Sequence, residues 1–253
     1  MRKKIAVSIL FVLVGTTLGL AQEAKLEFEG RYWLTNLDAD VKVVESGIGE
    51  KFDFKNDLGI NDENLPEARI IWHTGPNSKL RLAYTQVNYS GDQSIARTVE
   101  FKGQSYTAGT RVESDLDIQY LRCGWIWQFV NLADDRIKVG SIIEAKGLMA
   151  GVSLKAPTLS LSDSEEILGF LPSAGIVLDI QPIKKINLFA EVSGIGAGEL
   201  GYFFDAEAGI KILAWDNFSI AGGYRLIDIK AENDPDFAKV EIGGPFVSAT
   251  VKF

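Results

Sequence analysis

The chain carries one cysteine, Cys123, and one histidine, His73. A lone thiol cannot close an internal disulfide and has no metal-ligand spacing around it, so Cys123 reads as a small residue in a strand. Any Ser-His or Asp-His hydrolase chemistry would have to run through His73, and no placed nucleophile accompanies it. No cofactor, no metal ion and no enzymatic activity are therefore expected. Clustered Lys and Arg are missing after residue 4, and the net charge is -8 with a pI near 4.9, which excludes a nucleic-acid face. Also missing is any later run of about eighteen consecutive apolar residues, which excludes membrane-spanning helices by length.

Arg2, Lys3 and Lys4 precede an apolar run from Ile5 to Val14 and small residues ending Gly19-Leu20-Ala21. That three-part layout predicts a secretory signal peptide over residues 1–21, with residues 22–253 forming a single mature domain. No cysteine follows the cut, so a lipid anchor is not expected. The mature chain is nonetheless rich in apolar residues, at 46% hydrophobic and 10% aromatic overall, and it distributes them by alternation rather than at helical spacing.

Leu26, Phe28, Tyr32 and Leu34 oppose Glu27, Glu29 and Arg31; Ala68, Ile70 and Trp72 oppose Glu67, Arg69 and His73. Leu80, Leu82 and Tyr84 oppose Arg81, and in a later segment Leu116, Ile118 and Tyr120 oppose Asp115 and Asp117. To keep Arg122 with the polar set, a bulge is expected past Leu121, which turns Cys123, Trp125 and Trp127 outward. Ile137, Val139 and Ile143 oppose Lys138 and Glu144. Further on, Glu191, then Asp205, Glu207 and Lys211, and then Arg225 sit opposite apolar partners. Loops are predicted over Asn36–Asn64, Ser90–Thr110 and Lys146–Leu168, the last with a short helix capped near Ser162–Glu165. A dry core does not accept rows of charge, whereas a watery lumen does.

Val247, Ala249, Val251 and Phe253 alternate with Ser248, Thr250 and Lys252, and this ending on an aromatic resembles the closing strand and assembly signal of bacterial outer-membrane β-barrels. The segment Gly222-Gly223-Tyr224-Arg225-Leu226-Ile227-Asp228 is similar to a glycine-tyrosine-arginine strand of small outer-membrane barrels, the broad porin-like, OmpA- or OmpW-like group. The resemblance implies an all-β, closed antiparallel transmembrane barrel in the bacterial outer membrane. It also implies contact with outer-membrane lipids and lipopolysaccharide, and engagement of the barrel-assembly machinery through the strand ending at Phe253. The strand count comes to about ten, with eight as the alternative, joined by short periplasmic turns and long external loops.

The expected lumen lining is Glu27, Glu29, Arg31, Arg69, Arg81, Asp115, Asp117, Arg122, Glu191, Asp205, Glu207, Lys211 and Arg225. If these charges pair they close the barrel; if they stay hydrated they line a narrow path for small polar solutes. A structural or solute-passing barrel is thus the first expectation, a surface-interaction or adhesion protein acting through its external loops the second, and an outer-membrane lipid hydrolase the third. Gly196-Ala197-Gly198-Glu199-Leu200-Gly201 has dinucleotide-motif spacing, but it joins two alternating strands rather than opening a helix, so it reads as a turn. The acidic groups Glu45, Glu50, Asp53, Asp57, Asp62 and Glu63, and later Glu232, Asp234 and Asp236, lack calcium-loop spacing and read as solvated.

Overall fold

The computed structural model describes residues 25–253 apart from 46–47, 54–58, 96–97, 102–103, 160 and 234–235; the expected signal segment 1–21, Asp57 and Asp234 lie outside the described residues. The strands, in chain order, are β1 (Leu26–Trp33), β2 (Asn36–Glu45), β3 (Ile48–Asp53), β4 (Leu65–Gly75), β5 (Ser78–Ser94), β6 (Val99–Phe101) and β7 (Gln104–Tyr106). They continue with β8 (Arg111–Leu132), β9 (Ile137–Ala156), β10 (Leu161–Ile183), β11 (Ile186–Gly196), β12 (Gly201–Trp215), β13 (Phe218–Asn233) and β14 (Asp236–Lys252).

β1 and β2 are two lengths of one stave, since both lie antiparallel to β14, at Phe246–Lys252 and Phe237–Gly243. β3 folds back on β2, and β6 pairs only with β7. The staves β1/β2, β4, β5 and β8 to β14 form an antiparallel ring that the β1–β14 ladder closes, a ten-strand barrel. Closure leaves no edge along β1, which is what a sheet needs to sit in hydrocarbon.

Tight connections at Gly75–Ser78, Leu132–Ile137, Ile183–Ile186 and Trp215–Phe218 gather at one end, where Leu26 N–H also donates to Phe253 O at 3.1 Å. The opposite end is extended. β8, β9 and β10 are 22, 20 and 23 residues long, whereas a tilted strand crosses a bilayer in about 9–11. Near the turns the outward side chains are apolar, with an aromatic girdle of Trp72, Trp125, Trp127, Phe129, Trp215 and Phe253. Trp125 and Trp127 stack at 6.4 Å between ring centroids, and the Trp125 indole donates to Ser78 Oγ at 2.9 Å.

Away from the turns the pattern inverts. Asn88, Ser90, Asp92, Asp115, Asp117 and Glu166 face outward, while Val87, Tyr89, Val112, Leu116, Leu154 and Ile242 pack inside. This half is a water-exposed barrel with an ordinary apolar core, and burial pushes the Tyr89 phenol up to about 12. On its outer face Arg111 donates to Asp92 at 2.7 Å, and that bond holds the Asp92 carboxyl below its usual range.

The inversion corrects several expectations. Residues 90–94 continue β5, and the Lys146–Leu168 segment is the upper part of β9 and β10 joined through a 3-10 turn at Pro157–Leu159, with 162–165 in strand β10 rather than in a helix. The bulge at Leu121 is absent too: β5 and β8 stay in one register from Ser94↔Arg111 to Ser78↔Trp127, and the only β8 irregularity against β9 falls between Gln128 and Val130. Arg122 therefore shares its inward face with Leu116 and Tyr120, and Asp115 and Asp117 point to solvent. Their expected place in the lumen is wrong because the apolar side of β8 is the inner one above the membrane.

Candidate functional site in the barrel interior

Alternation turns every second side chain inward, and eight of the ten staves place buried charge there: Glu27, Glu29 and Arg31 from β1, Glu67 and Arg69 from β4, Arg81 from β5, Arg122 from β8 and Glu144 and Lys146 from β9. Glu191 comes from β11, Asp205 and Glu207 from β12 and Arg225 from β13. Above Glu27 these make a layer of six cations (Arg31, Arg69, Arg81, Arg122, Lys146, Arg225) and six carboxylates (Glu29, Glu67, Glu144, Glu191, Asp205, Glu207), all buried. The layer sums to zero charge in a protein of net charge -8.

Glu67 is the hub. It accepts from Arg122 at 2.8 Å, from Arg225 at 2.9 Å and from Thr85 at 3.1 Å, and also from Arg69. Glu207 accepts from Arg31 at 2.7 Å and Arg69 at 2.8 Å, while Asp205 accepts from Arg225 Nη2 at 2.9 Å and Nε at 3.0 Å. Arg81 bridges Glu191 at 2.6 Å to Glu144 at 2.7 Å, and Lys146 links Glu144, Ser193 and Asp205. Several of these are bidentate guanidinium–carboxylate contacts, which fix geometry as well as charge. Gly124 makes room for this packing, since a side chain there would meet Glu144 at 3.0 Å.

The top of the charge layer touches the apolar core through cation–π contacts: Arg31 over Phe246 at 3.8 Å, Lys146 over Phe203 at 4.5 Å and Arg225 over Trp33 at 5.0 Å. Below it a cavity of about 360 Å³ opens toward the turns, lined among others by Glu27, His73, Lys79, Asp179, Lys211 and Lys252. His73 Nε2 lies 2.7 Å from Glu27 Oε1, which Lys252 also approaches at 3.1 Å. His73 is thus held at the turn end, beside Gly75. Replacing it with glutamine is expected to leave the barrel folded and to cost at most about 1 kcal/mol in urea titration, because the pair is partly exposed and Lys252 still faces Glu27.

Of the thirteen expected lumen residues, eleven face the interior: ten are buried and Lys211 lines the cavity. Asp115 and Asp117 do not join them. Glu67 and Glu144 had been placed on the charged faces of their strands without being singled out; their weight shows only when eight staves converge. Lys146 was hidden in an expected loop. The glycine segment 196–201 is the β11–β12 turn, where Gly201 has φ 117° and a Cβ would meet the Lys230 carbonyl at 1.9 Å. Among the described residues no three His, Cys, Asp or Glu groups are placed to hold a metal ion.

Neither a protein-family model nor a curated protein matches the sequence. Among solved structures, the outer membrane protease OmpT from Escherichia coli superposes with a TM-score of 0.61 at 6% identity, over 94% of this chain and 99% of that one. This is the outer-membrane barrel fold. The translocator domain of the autotransporter NalP from Neisseria meningitidis aligns at 13% identity, 90% and 89% coverage and a TM-score of 0.49. Ail of Yersinia pestis aligns at 10% identity, 92% and 100% coverage and a TM-score of 0.42. At 6% identity the likeness to OmpT concerns the outer-membrane barrel fold and not what that protein does.

Proposed function

We propose that the protein is a sealed β-barrel of the bacterial outer membrane, without enzymatic activity, that anchors and presents its water-exposed outer half. The observation that carries this reading is the neutral layer of six cations and six carboxylates, buried and mutually paired, with an apolar core stacked on it. A solute path would need hydrated, unpaired charge through the same section. The apolar outer belt and aromatic girdle near the turns support the membrane placement, and the strand ending at Phe253 supports delivery by the barrel-assembly machinery into a leaflet of lipid and lipopolysaccharide. The position of His73, paired with Glu27 at the turn end, supports a non-enzymatic reading.

The test is conductance across a planar lipid bilayer holding the refolded chain. A silent bilayer, with protein shown to be folded by its heat-shifted mobility on a gel, is the expected result. Discrete steps that change when Arg81 is neutralised would instead support a lumen pathway and sink the sealed-barrel reading.

A further inference from the structure

The barrel wall is complete at the turn end but not at the outer end. β10 pairs with β9 from Leu161↔Ala156 to Ile180↔Ile137, whereas β11 pairs with it only from Ala174 onward. β11 stops at Gly196 and turns into β12. From Glu166 to Leu171 one edge of β10 therefore has no neighbouring strand among the described residues.

The direction of each amide on this edge follows from the ladder. Gln181 N–H donates to Arg136 O, across to the β9 side, and the β9–β10 register holds without a shift. N–H and C=O of a residue in an antiparallel strand point to the same side, and alternate residues point to opposite sides. Odd-numbered residues of β10 thus face β9, and even-numbered ones face β11 or the open edge. Pro172 is even-numbered, so the N–H that proline lacks is one β11 would have needed, and the β10–β11 ladder ends two residues away, at Ala174. Above it, the main-chain groups of Glu166, Leu168 and Phe170 point at the gap.

Two of the protein's most exposed apolar side chains stand on this stretch, Leu168 at 79% and Phe170 at 69%. They continue the apolar outward face of β10 that runs through Ile176, so the lower part of the edge reaches the membrane and the upper part, at Glu166, stands in water. Unpaired main chain at the hydrocarbon boundary is costly, and an open strand edge is a template for another strand.

We propose that the edge Glu166–Leu171 is a strand-addition site that takes an extended segment of another polypeptide. The inference rests on the sealed membrane barrel described above and assigns its outer half a partner. A second copy of this chain does not fit. Two barrels in one membrane share an orientation, so their β10 strands run parallel. A twofold axis along the membrane normal then sets identical residues face to face, whereas a parallel ladder needs each bonded residue opposite one whose own groups point away. The edge Glu166–Leu171 carries Glu166 at its outer end and no cation. Like charges across a ladder are unfavourable, so the partner strand carries Lys or Arg toward the outer end and apolar residues beside Leu168 and Phe170.

The experiment uses the full chain folded in lipid nanodiscs. The probe is a fluorescein-labelled peptide of about seven residues, alternating Val and Thr, with Lys at the end that meets Glu166. Saturable binding is expected in fluorescence anisotropy. Methylating alternate peptide nitrogens is expected to weaken it about tenfold or more, because main-chain hydrogen bonds are lost. Leu168→Pro removes an N–H that no barrel strand accepts, so the barrel is expected to fold while peptide affinity falls about tenfold; Leu168→Thr, which keeps the N–H, is expected to bind as the parent does. Phe170→Pro serves the same purpose should Leu168→Pro fail to fold. Equal binding by the proline variants, no binding to a barrel shown to be folded, or self-association abolished by Leu168→Pro would each overturn the proposal while leaving the sealed barrel standing. A conducting bilayer would overturn the sealed barrel itself, whatever the peptide does.

Discussion

Replacing Glu67 with glutamine is expected to destabilise the barrel by about 3–5 kcal/mol, the cost of leaving buried charge without its partner. Glu67 receives hydrogen bonds from Arg122, Arg225, Thr85 and Arg69, and its removal turns a neutral layer into one with an excess positive charge beneath an apolar core. These guanidinium groups are buried, and Trp33 covers that of Arg225. Urea unfolding from lipid vesicles, followed by tryptophan fluorescence, reads the loss as a lower midpoint. Adding Arg122→Gln restores neutrality, so the double variant is expected to be less destabilised than the sum of the two single ones. Additive losses would mean that the two residues act independently, contrary to a shared network.

Ile176→Arg and Asp117→Arg are expected to differ sharply although both positions are exposed. Ile176 faces outward from β10 within the apolar belt, and an arginine at such a depth costs about 2–4 kcal/mol in a barrel. Asp117 faces outward from β8 above that belt, where an arginine remains in water and its effect stays within about 0.5 kcal/mol. The same urea titration separates them. If Asp117→Arg proved as costly as Ile176→Arg, the membrane would reach past the point at which the outer face turns polar, and the position of the belt would have to be redrawn.

The ionic layer was readable in outline. Glu27, Glu29, Arg31, Arg69, Arg81, Glu191, Asp205, Glu207 and Arg225 each stand on a strand whose other face is plainly apolar, and only a barrel wall with lipid outside and charge inside accommodates that in so many segments. Asp115 and Asp117 were misread by the same rule. The strands run past the membrane into water, where the sorting reverses, and nothing local in β8 marks the crossing. Arg122 exposed the conflict, since one unbroken phase puts it on the side of Leu116 and Tyr120. A bulge was the wrong resolution, because that inner face passes from an apolar core to a charged layer without changing direction.

The class of fold, the strand count near ten and the lipid-facing side of each membrane segment are legible in the residue pattern, since a period of two residues is a local property that needs no partner. Tertiary structure alone decided how the charges pair, because Glu67 meets Arg225 across 158 positions of chain and only closure of the ring brings them to 2.9 Å. It also decided where the wall is left open. Pro172 warns of an interrupted ladder, but whether a neighbouring strand reaches past it depends on where β11 turns back, and that is set by the register of the whole sheet rather than by any residue of β10.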